Sequence, residues 1–272
     1  MLYRARYSGI QSQYSTIYNF IRSLRSTISE FKPNEVFFVL EGVPKKRKEL
    51  LPEYKANRVY DDGEFSFNVQ RNYCINFIKD FLPIQVVKHK DYECDDIINY
   101  IATKNIDNES IIVSTDTDFI QTISENVKLF NPVKKSFVNS FEVDYILFKA
   151  LKGDPTDNIK GFKGIGEKTA KKLTASKELL NTFLDSQEKI EKLNENIELI
   201  KFHKLEDEDI KNIEFYKIPE TNSWNIVKEE FSNMSFTSMI DDKYWYNFTK
   251  TFDKLFMEKQ KWITYQIISK KV

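Results

Sequence analysis

An α/β fold with a mainly parallel central sheet flanked by helices is what this sequence predicts, and three observations carry it. Short apolar runs at residues 36–40 (VFFVL), 84–87 and 111–114 alternate with segments of helical periodicity, as in strand–helix–strand units. Acidic residues follow two of these runs closely, Glu41 after the first and Asp116 and Asp118 after the last. Ligand sites in parallel α/β sheets lie at the carboxyl ends of strands. Finally, 272 residues with 41% hydrophobic content suffice for a full core.

Each element follows from its own residues. Ile17, Phe20, Ile21, Leu24 and Ile28 keep helical spacing, in a helix expected to close near Pro33. The run VFFVL reads as a strand buried on both faces. Residues 43–67 are basic (KKRKELLPEYKANR), carry Pro52 and then Asp61, Asp62 and Gly63, and show no core periodicity. A helix over 69–81 places Cys74, Phe77, Ile78 and Phe81 inward, which makes Cys74 a core residue rather than a nucleophile. After a strand at 84–87, residues 92–96 (YECDD) open a helix whose stripe of Cys94, Ile97, Ile98, Ile101 and Ala102 faces the core. Glu93 and Asp96 share another face, with Asp95 beside them; a helix dipole alone favours acids there. Asp116 and Asp118, at alternate positions past a buried strand, have no such stabilising explanation. Residues 127–130 read as a further strand and 141–151 (FEVDYILFKAL) as an amphipathic helix. Residues 178–199 read as a charged helix, and 243–272 as an aromatic, basic helix without an assignment.

The densest stretch is 151–173, LKGDPTDNIKGFKGIGEKTAKKL. Asp154 and Asp157, three apart in a loop, can point into one pocket. Gly161, Gly164 and Gly166 permit a tight hairpin whose amides can approach a phosphate. A helix expected over 168–173 adds its positive end and Lys168, Lys171 and Lys172. Glu93, Asp95, Asp96, Asp116, Asp118, Asp154 and Asp157, with Glu41 as an eighth, would repel one another in one pocket unless divalent cations neutralised them. Oxygen donors without histidine suit two or more Mg²⁺ or Mn²⁺ ions.

Net charge is zero, which argues against a protein that coats a polyanion. Locally the picture differs. Residues 1–60 hold 11 Lys/Arg against 5 Asp/Glu, and residues 152–177 hold 7 Lys against 3 acids. A basic footprint around an acidic centre suits a nuclease. Two cysteines without a CxxC, and two histidines, indicate neither a disulfide scaffold nor a zinc site. No signal peptide or membrane-spanning run stands out, so a reduced, cytoplasmic protein without membrane partners is expected.

GDPTDNIKGFKGIGEKTAKKL resembles the helix-three-turn-helix signature of the 5′-nuclease superfamily, which comprises phage 5′–3′ exonucleases, flap endonucleases and the 5′-nuclease domain of bacterial DNA polymerase I. YECDD, STDTD and GDPTDN are similar to that family's EADD, SxDxD and GDxxDN motifs, and ELLPEYKANR resembles its helical arch. The resemblance implies a PIN-like nuclease core over 1–150 with the arch at about 43–67, then a helix-three-turn-helix region and C-terminal helices over 151–272. It implies that Lys55 and Arg58 contact the scissile phosphate, that Arg47 touches the DNA backbone and that Tyr54 stacks on a base. Gly161, Gly164, Gly166, Lys168 and Lys171 would grip the duplex, with K⁺ in the hairpin. The implied substrate is DNA with a free 5′ end, flap or nick, cut by a monomer working with replication proteins, in a bacterial host's cytoplasm if phage-encoded. Two alternatives stand beside this: removal of RNA primers from RNA–DNA hybrids, and non-catalytic binding of flaps or junctions.

Two departures from the family pattern matter. The family begins with a buried strand ending in aspartate, just before the segment matched by Leu2, Tyr3 and Arg4, and neither is present. Three or four buried side chains are worth roughly 5–12 kcal/mol, so the expectation is an upstream start, a truncated chain or a strand supplied from elsewhere. Glu41 stands where the family has aspartate, which moves a ligand oxygen by about 1 Å, enough to slow catalysis.

Overall fold

The computed structural model describes Ala5 and residues 14–57, 66–104 and 108–269, with side chains up to Met257. Among the described residues, Ala5 is helical, and the elements from residue 14 on are α1 (Ser15–Phe31), β1 (Phe37–Leu40), α2 (Lys45–Leu50), α3 (Phe67–Phe81), β2 (Gln85–Lys88) and α4 (Cys94–Lys104). Then come β3 (Ser110–Val113), a 3-10 turn (Thr117–Thr122), β4 (Val127–Asn131), β5 (Ser136–Val138) and α5 (Tyr145–Lys152). A short ribbon, β6 (Gly153–Asp154) and β7 (Ile159–Lys160), encloses a 3-10 turn (Pro155–Asp157). The rest is helical apart from β8 (Glu214–Phe215): α6 (Glu167–Ala175), α7 (Lys177–Phe183), α8 (Gln187–Ile200), α9 (Asp207–Lys211), α10 (Trp224–Asn233), α11 (Thr237–Ile240) and α12 (Asp242–Ser269). Among the described residues, no helix is long and apolar enough to cross a membrane.

These elements form two compact units: Met1–Leu40 with Tyr60–Val87 and Glu214–Val272, and Glu41–Val59 with Lys88–Ile213. The grouping crosses residue 150 instead of dividing there. In the first unit, α1 buries the expected stripe of Ile17, Phe20, Ile21, Leu24 and Ile28. It stops at left-handed Lys32, whose N–H bonds the carbonyl of Ile28, just before Pro33. Ser66 caps α3, and Cys74 is wholly buried there beside Phe77 and Ile78. Phe231, Phe248 and Phe252 from the C-terminal helices, with Phe236 just before α11, complete this core. The three strands lie in the order β1-β2-β8. Phe37 at the head of β1 is 39% exposed, so VFFVL is half-buried rather than covered on both faces.

The second unit has its own sheet. β3 runs parallel to β4, with Val113 opposite Phe130, and β5 returns antiparallel with Phe137 opposite Phe130. Ala102, Ile112, Phe119, Val127 and Leu129 pack on it. A further cluster joins Phe148, Leu151, Ile159, Ala170, Leu193 and Leu199 around the β6–β7 ribbon. The α/β class therefore holds; among the described residues the strands pair as two three-stranded sheets and the β6–β7 ribbon, where one central sheet was expected. An apolar run marks a strand as buried; it carries no information on which strand it pairs with.

Candidate active site

All described acids of the motifs lie in the second unit, and they fall into distinct environments. At the start of α4, Glu93 and Asp96 are 3% and 0% exposed. Both meet Arg47 of α2, itself buried: Nη1 donates to Glu93 Oε2 and to Asp96 Oδ2 at 2.7 Å each, and Nη2 donates to Asp96 Oδ1 at 2.9 Å. The backbone N–H of His203 also donates to Asp96 Oδ1, at 2.8 Å. Burial opposes the charge on Arg47, but the carboxylates outweigh it and its pKa rises. This corrects one expectation: Arg47 has no face toward solvent with which to touch DNA. Asp96, wholly buried, accepts from protein donors through both oxygens.

Tyr54 is corrected likewise. Its ring is 3% exposed within the core, and its hydroxyl donates to Glu93 Oε2 at 3.1 Å and Asp157 Oδ2 at 3.2 Å, so it does not stack on a base. Burial and then the Glu93 charge raise its pKa. Lys55, next in sequence, is held with a left-handed backbone by a bond from its N–H to the Asp157 carbonyl at 3.2 Å. Its ammonium pairs with Glu93 and lies 3.6 Å from Asp157. Asn57 Nδ2 donates to the Pro155 carbonyl, and Asn158 Nδ2 to that of Glu53, so the 52–57 turn is docked along the 153–158 loop. Arg58 lies outside the described residues.

Asp118, Asp154 and Asp157 offer one oxygen each within 4.8 Å of one another, a group that can hold a metal ion. Local backbone chemistry sets them there. Asp116 caps the 3-10 turn after β3 by accepting from the Asp118 N–H, and Asp154 caps the next one through the Thr156 N–H, both at 2.9 Å. Lys149 of α5 bridges the segments, 2.5 Å from Asp118 Oδ1 and 2.7 Å from Asp154 Oδ2, and the Tyr145 hydroxyl donates to Asp118 at 2.9 Å. Burial would push the Asp154 carboxyl up, but Lys149 holds it below its ordinary range. Sequence reasoning missed Lys149 and Tyr145. The one signal was a lysine set among the apolar residues of YILFKAL.

Asp95 is the contrast. Burial, then Asp116, then Glu41, push its carboxyl up to about 7. Desolvation and then Asp118 raise Asp116 as well. Glu41 is exposed and accepts a long 3.4 Å bond from the Cys94 N–H.

The hairpin glycines separate by role. A side chain on Gly161 would meet the Lys152 carbonyl at 2.0 Å, so Gly161 serves the close β6–β7 approach. Gly164 has φ +80°, and Gly164 and Gly166 both face open space at the start of α6. Lys168 is exposed beside them, while Lys171 is half-buried, 3.5 Å from Glu167.

Comparisons with known proteins place the chain in a family. Residues 1–150 match the family described as 5′-3′ exonuclease, N-terminal resolvase-like domain. A 5′-3′ exonuclease of Mycoplasmopsis pulmonis is 33% identical over 186 residues, covering 64% of this chain and 62% of that protein. Its counterpart in Aquifex aeolicus is 27% identical over 257 residues, 84% of either chain. The thermostable DNA polymerase I of Thermus thermophilus is 31% identical over 202 residues, 70% of this chain but 24% of the polymerase. The chain thus spans less than two thirds of the first relative and about a quarter of the last. Among solved structures, the zinc-bound 5′-exonuclease of T5 has a TM-score of 0.58 at 21% identity, covering 73% of this chain and 82% of its own. The bacteriophage T5 flap endonuclease complex with DNA and metal ions reaches 0.56 at 22%, covering 72% and 81%. At such identity the likeness is one of fold.

Proposed function

Because the chain belongs to the 5′-3′ exonuclease family, we propose that it is a metal-dependent 5′–3′ exonuclease and flap endonuclease. It hydrolyses phosphodiester bonds at the 5′ ends of branched or nicked DNA in replication. The observation that carries this reading is the meeting of Asp118 with Asp154 and Asp157, from two chain segments, within 4.8 Å. Their donor set is oxygen only and fits a hard divalent cation, Mg²⁺ or Mn²⁺. Such a cation, when bound, activates water and stabilises the leaving oxygen. Asp95, raised by burial and then by Asp116, and Asp116, raised by burial and then by Asp118, extend the acidic patch.

The chain's own groups do the rest. Lys55, fixed by Glu93 and Asp157, offers an ammonium to the phosphate being cut and stabilises charge developing on it; Arg58 is proposed to join it by family resemblance. Lys149 and Tyr145 hold Asp118 in orientation. Gly164 and Gly166, which leave open space beside the backbone, bind the duplex backbone with Lys168 without reading sequence. Free Cys74 and Cys94 suit a reducing cytoplasm.

A 5′-labelled flap duplex tests the proposal. Cleavage is expected with Mg²⁺, and neither with chelator nor by Asp118→Ala. Tight binding without product would leave a flap-binding protein instead, and an RNA–DNA duplex run in parallel ranks primer removal against DNA cleavage.

A further inference from the structure

We propose that Arg47, locked to Asp96, is a positioning residue that sets the first turn of α4 and thereby aims Asp95 and Glu93 at the ion site. The inference rests on the reading of those acids as an ion site. A guanidinium has five N–H donors, and here all five are spent inside the protein. Nε donates to the Leu199 carbonyl at 2.9 Å, Nη1 to Glu93 and Asp96, and Nη2 to Asp96 and to the Lys201 carbonyl at 2.9 Å. One side chain thus ties α2 to the start of α4 and to the end of α8. None of its donors remains for a phosphate.

The partner is equally committed. Asp96 is wholly buried and accepts from Arg47 through both oxygens and from the His203 N–H through one. Asp95, one residue earlier, is turned by roughly 100° about the helix axis, so anchoring Asp96 on one side fixes the direction of Asp95 on the other. Glu93 links the same anchor to the phosphate-facing lysine: its Oε2 meets Arg47 and its Oε1 meets Lys55. Arg47 therefore acts on the reaction at one remove, through the acids and through Lys55. A lysine at 47 would keep the charge but lose the planar fork that reaches two other segments at once.

The test measures Mn²⁺ binding by calorimetry and flap cleavage with kcat and KM separated, on variants whose folding is checked by circular dichroism. Removing one member of a buried ion pair endangers folding, so the central variant replaces both with apolar residues, Arg47→Met with Asp96→Leu, an exchange that buried pairs tolerate. Arg47→Lys accompanies it. In both, Mn²⁺ affinity is expected to fall about 10- to 100-fold, the usual cost of losing a group that orients metal ligands. kcat is expected to fall with it while KM for the flap holds.

Unchanged Mn²⁺ affinity in the folded double variant would overturn the inference, leaving a structural pair. So would a raised KM with unchanged Mn²⁺ affinity, the mark of a DNA contact, or full recovery in Arg47→Lys, the mark of charge alone. Tighter Mn²⁺ binding by Arg47→Met would overturn it too, since Asp96 would then be a ligand set free. Asp118→Ala separates the two levels. If wild-type protein takes up no Mn²⁺, the ion-site reading itself fails, and the inference with it. If wild type binds, Asp118→Ala does not and the double variant binds as wild type, the inference alone fails.

Discussion

Glu93 and Asp96 are buried against a guanidinium that bonds both, whereas Asp95, between them in sequence, faces Asp116 and Glu41. All lie within one turn of chain, yet their charges are balanced in opposite ways. The first two are held by a fixed internal cation, Arg47. The third is pushed up to about 7 by burial first and then by Asp116 and Glu41, against a weaker opposing pull from Lys55. Burial of charge is tolerable when the chain supplies the counter-ion; where it supplies like charge, repulsion is stored that a divalent ion would relieve.

The largest expected effect that would break this contrast is on stability. Asp96→Ala leaves much of the Arg47 fork buried without a partner and should cost about 3–5 kcal/mol by chemical denaturation. Asp95→Asn in the same assay should stabilise the metal-free protein while abolishing Mn²⁺ uptake. Equal responses from the two would remove the distinction.

Lys149 offers a sharper intermediate case, because its ammonium lies between Asp118 and Asp154 in the group suited to a metal ion. Lys149→Met should lower the stability of the metal-free protein by about 1–3 kcal/mol, with most of the loss recovered on adding Mg²⁺, as read from melting curves with and without the ion.

The smallest effect is a pH drift. A carboxyl whose folded pKa is raised binds a proton more tightly folded than unfolded, so stability falls as pH rises from the ordinary carboxylate range through the folded value. For Asp95 that window runs from about pH 4 to about 7. Metal-free wild type should lose a few degrees of melting temperature across it, and Asp95→Asn should show a shallower decline. Asp154, held low by Lys149, contributes only below that window.

The amino-acid order alone determined the parts governed by near neighbours. The stripe from Ile17 to Ile28 defined α1, the acids of YECDD marked the start of α4, and STDTD and GDPTDN marked both carboxylate-bearing turns. Periodicity and turn chemistry act over a few residues, so they are legible in a single chain. The tertiary structure alone decided what each charge meets. Arg47 and Tyr54 sit in a basic, proline-broken stretch that reads as solvated, yet Arg47 finds Glu93 across 46 residues and Tyr54 finds Asp157 across 103. Lys149, in an ordinary amphipathic helix, closes the gap between two aspartates. A charged side chain has the same local pattern whether water or a distant carboxylate neutralises it; only folding brings the distant segment near and selects between them.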